Sequence, residues 1–167
     1  MGPDEKKEQT PMNPSSQETR LKDKIQEALK GALKRHQTVE VSALRLLLAE
    51  IKNDEIAQQK PADDNRVLGA IAKEVKRRRE SIEAFKKGNR ADLVAQEEAG
   101  LAIVMGYLPE QMSREEVVAA ARQALDVVGA KGPSDKGRVM AQLMPQLKGK
   151  ADGAVISEVV SELLAGR

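Results

Sequence analysis

Lys148 and Lys150 flank Gly149 in the stretch LKGKADG, just ahead of an apolar run that starts near Val155. Exposed ammonium groups beside the backbone N–H groups of a helix start can seat a phosphate. Lys136, Gly137 and Arg138 open the preceding helical pattern in the same way. The competing reading is an ordinary interhelical turn kept soluble by lysines, with Asp152 as a helix cap and not a catalytic acid.

A second set of cations lies in KEVKRRRESIEAFKKGNR, residues 73–90, which holds eight Lys or Arg against three acids, net +5. Residues 92–130 carry seven acids and two bases, net −5. Residues 131–150 carry five bases and one acid, net +4. The whole chain is only +2. Two basic zones separated by an acidic one suit an anionic partner met at particular places. The first zone also reads as a solvated helix face, with Lys76–Glu80 and Arg79–Glu83 at ion-pairing spacing. Ile71, Val75, Arg78, Ile82 and Phe85 step by 4, 3, 4 and 3, so Arg78 falls on the apolar seam. A seam arginine lays its stem along the core and needs a carboxylate, and Glu74 is one turn back. Arg78 is therefore read as structural, and Arg77 and Arg79 as outward-facing.

The remaining inventory excludes several chemistries. The chain has 167 residues, no Cys and one His, His36, placed in a polar turn. Disulfides, thiolate nucleophiles, Cys-ligated metals and two-His motifs are out of reach. With one Phe, one Tyr and no Trp, base stacking on aromatic platforms has almost no material. There is no phosphate-binding P-loop, dinucleotide fingerprint or nucleophile elbow. The residues suggest no catalytic constellation, metal site or cofactor. No apolar run is long enough to span a bilayer. Met1–Arg20 lacks a hydrophobic signal core, so the cytoplasm is the expected compartment.

Periodicity supplies the elements that position these groups. Residues 1–19 are polar and Pro-containing and are expected to form a disordered tail. Thr19 is a candidate cap for a first helix carrying Leu21, Ile25, Leu29 and Leu33. A second helix carries Leu44, Leu47, Leu48 and Ile51 and ends before Pro61. A third follows Asp63 or Asp64 and stops at Gly88. A fourth is expected from about Asp92 to Leu108, closed by Pro109, with Tyr107 at core spacing. Ser113-Arg-Glu-Glu116 has capping-box spacing and opens a fifth helix that ends at Gly129. A sixth carries Val139, Met140, Leu143 and Met144. A seventh, after Asp152, carries Val155, Ile156, Val159, Val160, Leu163 and Leu164. The expected fold is all-α, with a four-helix part over 20–109 and a small three-helix domain over 110–167.

Three stretches carry a resemblance. YLPEQMSREEV (Tyr107–Val117), SDKGRVMAQLMPQLKGKADG (Ser134–Gly153) and KRRRESIEAFKKGNRADL (Lys76–Leu93) resemble the YqeY family over about Arg20 to Leu164. Lys136 stands where that family commonly has methionine, and Gly100 where an acid is expected. The family's C-terminal part is similar to the tail domain of the B subunit of the glutamine-dependent tRNA amidotransferase, which helps hold the tRNA. The resemblance implies a non-catalytic module contacting tRNA or another structured RNA, with Lys136, Arg138, Lys148, Gly149, Lys150, Arg77 and Arg79 as candidate contacts. Arg78, Asp152, Tyr107 and Pro109 would be structural. A carbon–nitrogen ligase label with glutamine as amido donor would arrive through the shared domain, without its catalytic machinery. Docking on a translation-related protein is the alternative.

Overall fold

The computed structural model describes residues 20–167. The expected tail and the Thr19 cap lie outside the described residues. Seven α-helices account for the fold: α1 (Leu21–Lys34), α2 (Thr38–Gln58), α3 (Asp64–Lys87), α4 (Ala91–Met105), α5 (Arg114–Val128), α6 (Lys136–Leu147) and α7 (Gly153–Ala165). One 3₁₀ turn, Pro133–Asp135, precedes α6, and the described residues contain no strand. The all-α expectation holds.

Local chemistry sets the helix ends. Asp63 accepts from the Arg66 N–H at the start of α3. Ser113 and Glu116 form the reciprocal capping box of α5, satisfying two donors that the first turn leaves open. Asp152 accepts from the Ala154 N–H at the start of α7. Gly129 ends α5 in the left-handed region at φ 65°, where a residue without Cβ carries no steric cost. His36 is exposed, as its polar turn suggests.

One boundary differs from expectation. α4 stops at Met105, three residues short of Leu108. Gly106, Tyr107 and Leu108 instead make tight i→i−3 bonds to Ile103, Val104 and Met105. Such bonds use the last carbonyls while bending the chain out of the helix. Tyr107 still packs half-buried against the apolar cluster of the first helices.

Buried side chains form two clusters. Ile25, Leu44, Leu47, Ile51, Val67, Ile71, Val75 and Val104 join α1–α4. Val117, Leu125, Val139, Leu143, Ile156, Val159, Val160 and Leu164 join α5–α7. Each fully buried Leu or Ile contributes about 1.5–3 kcal/mol of transfer free energy.

α3 carries the buried polar exception. Arg78 and Glu74 are 7% and 2% exposed. Arg78 Nε lies 3.1 Å from Glu74 Oε1, and its Nη1 donates to Glu97 Oε2 at 3.2 Å. The seam assignment is thereby realised, with α4 supplying a second carboxylate. Gly100, where an acid was expected, makes room for this cluster. A Cβ there would sit 2.8 Å from Arg78 Cζ and closer still to Nη1.

Candidate nucleic-acid interface

The turn after α6 begins with a helix that contains Pro145 and ends at Leu147. Lys150 N–H returns to the Leu147 carbonyl at 2.9 Å, and Gly149 between them takes φ 76°. This turn is not free in solvent. Gly149 is buried, and a Cβ on it would stand 3.4 Å from Leu68 Cδ2 and 3.5 Å from Pro109 Cδ. Gln111 Nε2 donates to the Gly149 carbonyl at 2.7 Å and to the Pro109 carbonyl at 2.8 Å. Met112 N–H donates to the Lys150 carbonyl at 2.8 Å. Pro109 thus packs against this turn and does not close α4, which has already ended at Met105. The expectation of an open turn is corrected for its backbone and kept for its side chains: Lys148 and Lys150 are exposed. Neither forms an ion pair with a described residue.

The other cations are more occupied. Arg77 donates to Glu74 Oε2 at 3.2 Å and to Glu50 Oε2 at 3.4 Å. Lys136 Nζ donates to Ser161 Oγ at 2.7 Å. Arg138 Nη2 donates to the Val128 carbonyl at 2.8 Å, with Asp135 3.7 Å away. The Lys131 N–H on its carboxylate holds Asp135 below the ordinary range.

Arg79 departs from its expected role. It pairs not with Glu83 but with Asp152, Nη1 to Oδ2 at 3.1 Å, and Nη2 approaches Met105 Sδ at 3.9 Å. The described ion pairs likewise contain no Lys76–Glu80 pair. A rigid cap at the start of α7 offers Arg79 a fixed carboxylate, whereas Glu83 is two-thirds exposed and must be ordered to pair. Asp152 keeps its expected structural role. Its Oδ1 accepts from Ala154 N–H at 2.8 Å while Oδ2 holds Arg79.

The second basic zone is consequently split. Lys136 and Arg138 begin α6, and Lys148 follows its end, about 18 Å away at 1.5 Å per residue. The structure instead brings the 148–152 turn against α3. Lys148 lies over Gly69, where a Cβ would meet Lys148 Nζ at 3.7 Å. A cleft of about 430 Å³ opens between α3 and this turn, lined by Lys73, Lys76 and Arg79 on one side and Gly149, Asp152 and Ala154 on the other. Lys73 and Lys76 belong to the first basic zone but were not among the candidate contacts. Their signal was a register of 69, 73 and 76, which puts them on the helix face that Lys148 covers.

Among the described residues, no three His, Cys, Asp or Glu side chains group as metal ligands. No described helix is long and apolar enough to cross a membrane.

Residues 22–164 match the family described as "Yqey-like protein". The chain is 28% identical over 150 residues to "Altered inheritance of mitochondria protein 41, mitochondrial" of Pyrenophora tritici-repentis, covering 86% of this chain and 81% of that protein. It is 38% identical over 85 residues to the protein of the same name from Lachancea thermotolerans, covering 50% of this chain and 46% of that protein. The compartment in those two names is the mitochondrion, not the cytoplasm expected from this sequence.

Proposed function

The chain belongs to the YqeY-like protein family, and from that premise we propose that it is a non-catalytic accessory protein that binds tRNA or another structured RNA. The observation that carries this reading is the pair Lys148 and Lys150, exposed on either side of a buried Gly149 whose backbone is fixed by Gln111, Leu68 and Pro109. Two cations on a rigid turn meet phosphates with their backbone already ordered, so that only the side chains lose freedom on binding. Contacts of this kind position an RNA by backbone and shape and do not read its bases. Filter binding of tRNA across a salt series tests it, because affinity from phosphate contacts falls steeply with salt.

A second reading, docking on a translation-related protein, draws on α2. Val39 and Leu46 are 42% and 53% exposed and line one cavity with Ser42 and Gln96. Binding through that apolar face would depend little on salt. Glutamine-dependent carbon–nitrogen ligation by this chain alone is the least favoured reading, and an amidation assay with glutamine and ATP addresses it.

A further inference from the structure

The cleft between α3 and the 149–154 turn differs from the exposed lysine pair in one respect: it contains a carboxylate already bound to its arginine. Arg79 and Asp152 meet at 3.1 Å, with side chains 44% and 32% exposed. Lys76, a turn earlier on the same wall, is exposed and has no ion-pair partner among the described residues. Lys73 on that wall is neutralised by Glu50. Lys148 and Lys150 are exposed on either side of Gly149 in the chain, and Gly149 lines the opposite wall. A neighbouring cavity shares Lys76, Arg79 and Asp152 with this cleft and adds Glu80, Glu83 and Lys87.

We infer that this cleft is a phosphate subsite for RNA backbone, in which Lys76 is a standing cation and Asp152 holds the place at Arg79 that a phosphate oxygen takes in the complex. The inference rests on the RNA-binding reading. A carboxylate oxygen and a phosphate oxygen accept the same guanidinium hydrogen bond. The two therefore compete for Arg79, and the exposed pair is weak enough to be exchanged. Asp152 does not leave its helix when it releases Arg79, because its other oxygen remains on the Ala154 N–H. The free protein keeps Arg79 in place over the cleft, and RNA binding exchanges one acceptor for another.

Asp152→Asn separates these roles. An amide oxygen caps a helix as well as a carboxylate does, but it leaves Arg79 uncompensated. The full chain is titrated with an unmodified tRNA transcript over a salt series as wild type, Asp152→Asn, Lys76→Ala, Arg79→Ala and Arg79→Ala/Asp152→Asn. The expected result is tighter binding by Asp152→Asn with the wild-type log-affinity against log-salt slope, since Arg79 meets a phosphate in both complexes and only the competing carboxylate is lost. Arg79→Ala and Lys76→Ala should each flatten the slope by about 0.7–0.9. In the Arg79→Ala background, Asp152→Asn should no longer tighten binding. Tightening that persists without Arg79 would overturn the exchange, since the effect would then be one of net charge. Wild-type binding with affinity and slope unchanged by all four variants would overturn the subsite and leave RNA binding to Lys148 and Lys150. No tRNA binding by the wild type at low salt would overturn both.

Discussion

Arg79 Nη1 and Asp152 Oδ2 stand 3.1 Å apart, and among the described residues theirs is the ion pair that ties α1–α4 to α5–α7. The same carboxylate caps α7 through its other oxygen. Its two jobs have different energies. The exposed pair contributes about 0–1 kcal/mol, and the cap about 0.5–2 kcal/mol. Asp152→Asn should therefore lower the urea unfolding midpoint slightly, and Asp152→Ala clearly more. Equal midpoints for the two variants would deny the cap its role.

Gly100 and Arg78 give the sharpest packing prediction. Gly100→Ala places a methyl against a guanidinium fixed by Glu74 and Glu97. Overpacking of this kind costs about 1–3 kcal/mol. Gly137→Ala, in the first turn of α6, meets nothing within 4 Å. It should be neutral or stabilising, since Gly in a helix is worse than Ala by about 0.5–1 kcal/mol. Thermal denaturation of the pair checks the contrast.

Arg78→Met should destabilise the chain strongly. It leaves Glu74, 2% exposed, with only the partly exposed Arg77 as a partner. Breaking a buried pair from one side costs about 3–5 kcal/mol. Arg78→Met/Glu74→Leu should recover part of the loss, because no buried charge is then stranded. A double variant no more stable than the single one would contradict the stranded-charge account.

Much of this framework was legible in the sequence. The apolar stripes, the Ser113–Glu116 box, the Asp63 and Asp152 caps and the Gly129 stop are local signals that act within one or two turns. Arg78 was readable from its 4-3-4-3 neighbours, and Glu74 from the turn before it. Glu97 and Gly100 were not, because they belong to another helix and nothing local marks their approach. The same holds for the turn at Gly149, whose burial depends on Leu68, far back in the chain. Arg79 misled for the converse reason: Glu83 stands at ion-pairing spacing, but the partner is 73 residues away.

Acid should unfold the chain through identifiable carboxylates. The Lys73 hydrogen bond, with Arg77 adding to it, holds Glu50 below the ordinary carboxylate range. Lys22, then the Ala62 N–H, do the same for Glu55. A carboxylate with a lowered folded-state pKa stabilises the fold above its unfolded value, about 4.3 for Glu. That stabilisation is lost as pH falls through the folded-state value. The urea midpoint should drop as pH falls below about 4.3, and Glu55→Gln should shrink the drop. A midpoint independent of pH across that window would contradict these pairings.

RNA binding itself is decided most directly by the salt dependence of tRNA affinity for the wild type and for Lys148→Ala/Lys150→Ala. Both side chains are exposed and neither has an ion-pair partner among the described residues, so the double variant should keep the wild-type melting temperature. If the turn seats phosphates, its log-affinity against log-salt slope should flatten by about 1.4–1.8, and equally for unrelated tRNAs. A wild-type chain that binds no tRNA at low salt, or a double variant with undiminished affinity and an unchanged slope, would contradict the assignment of this turn to RNA.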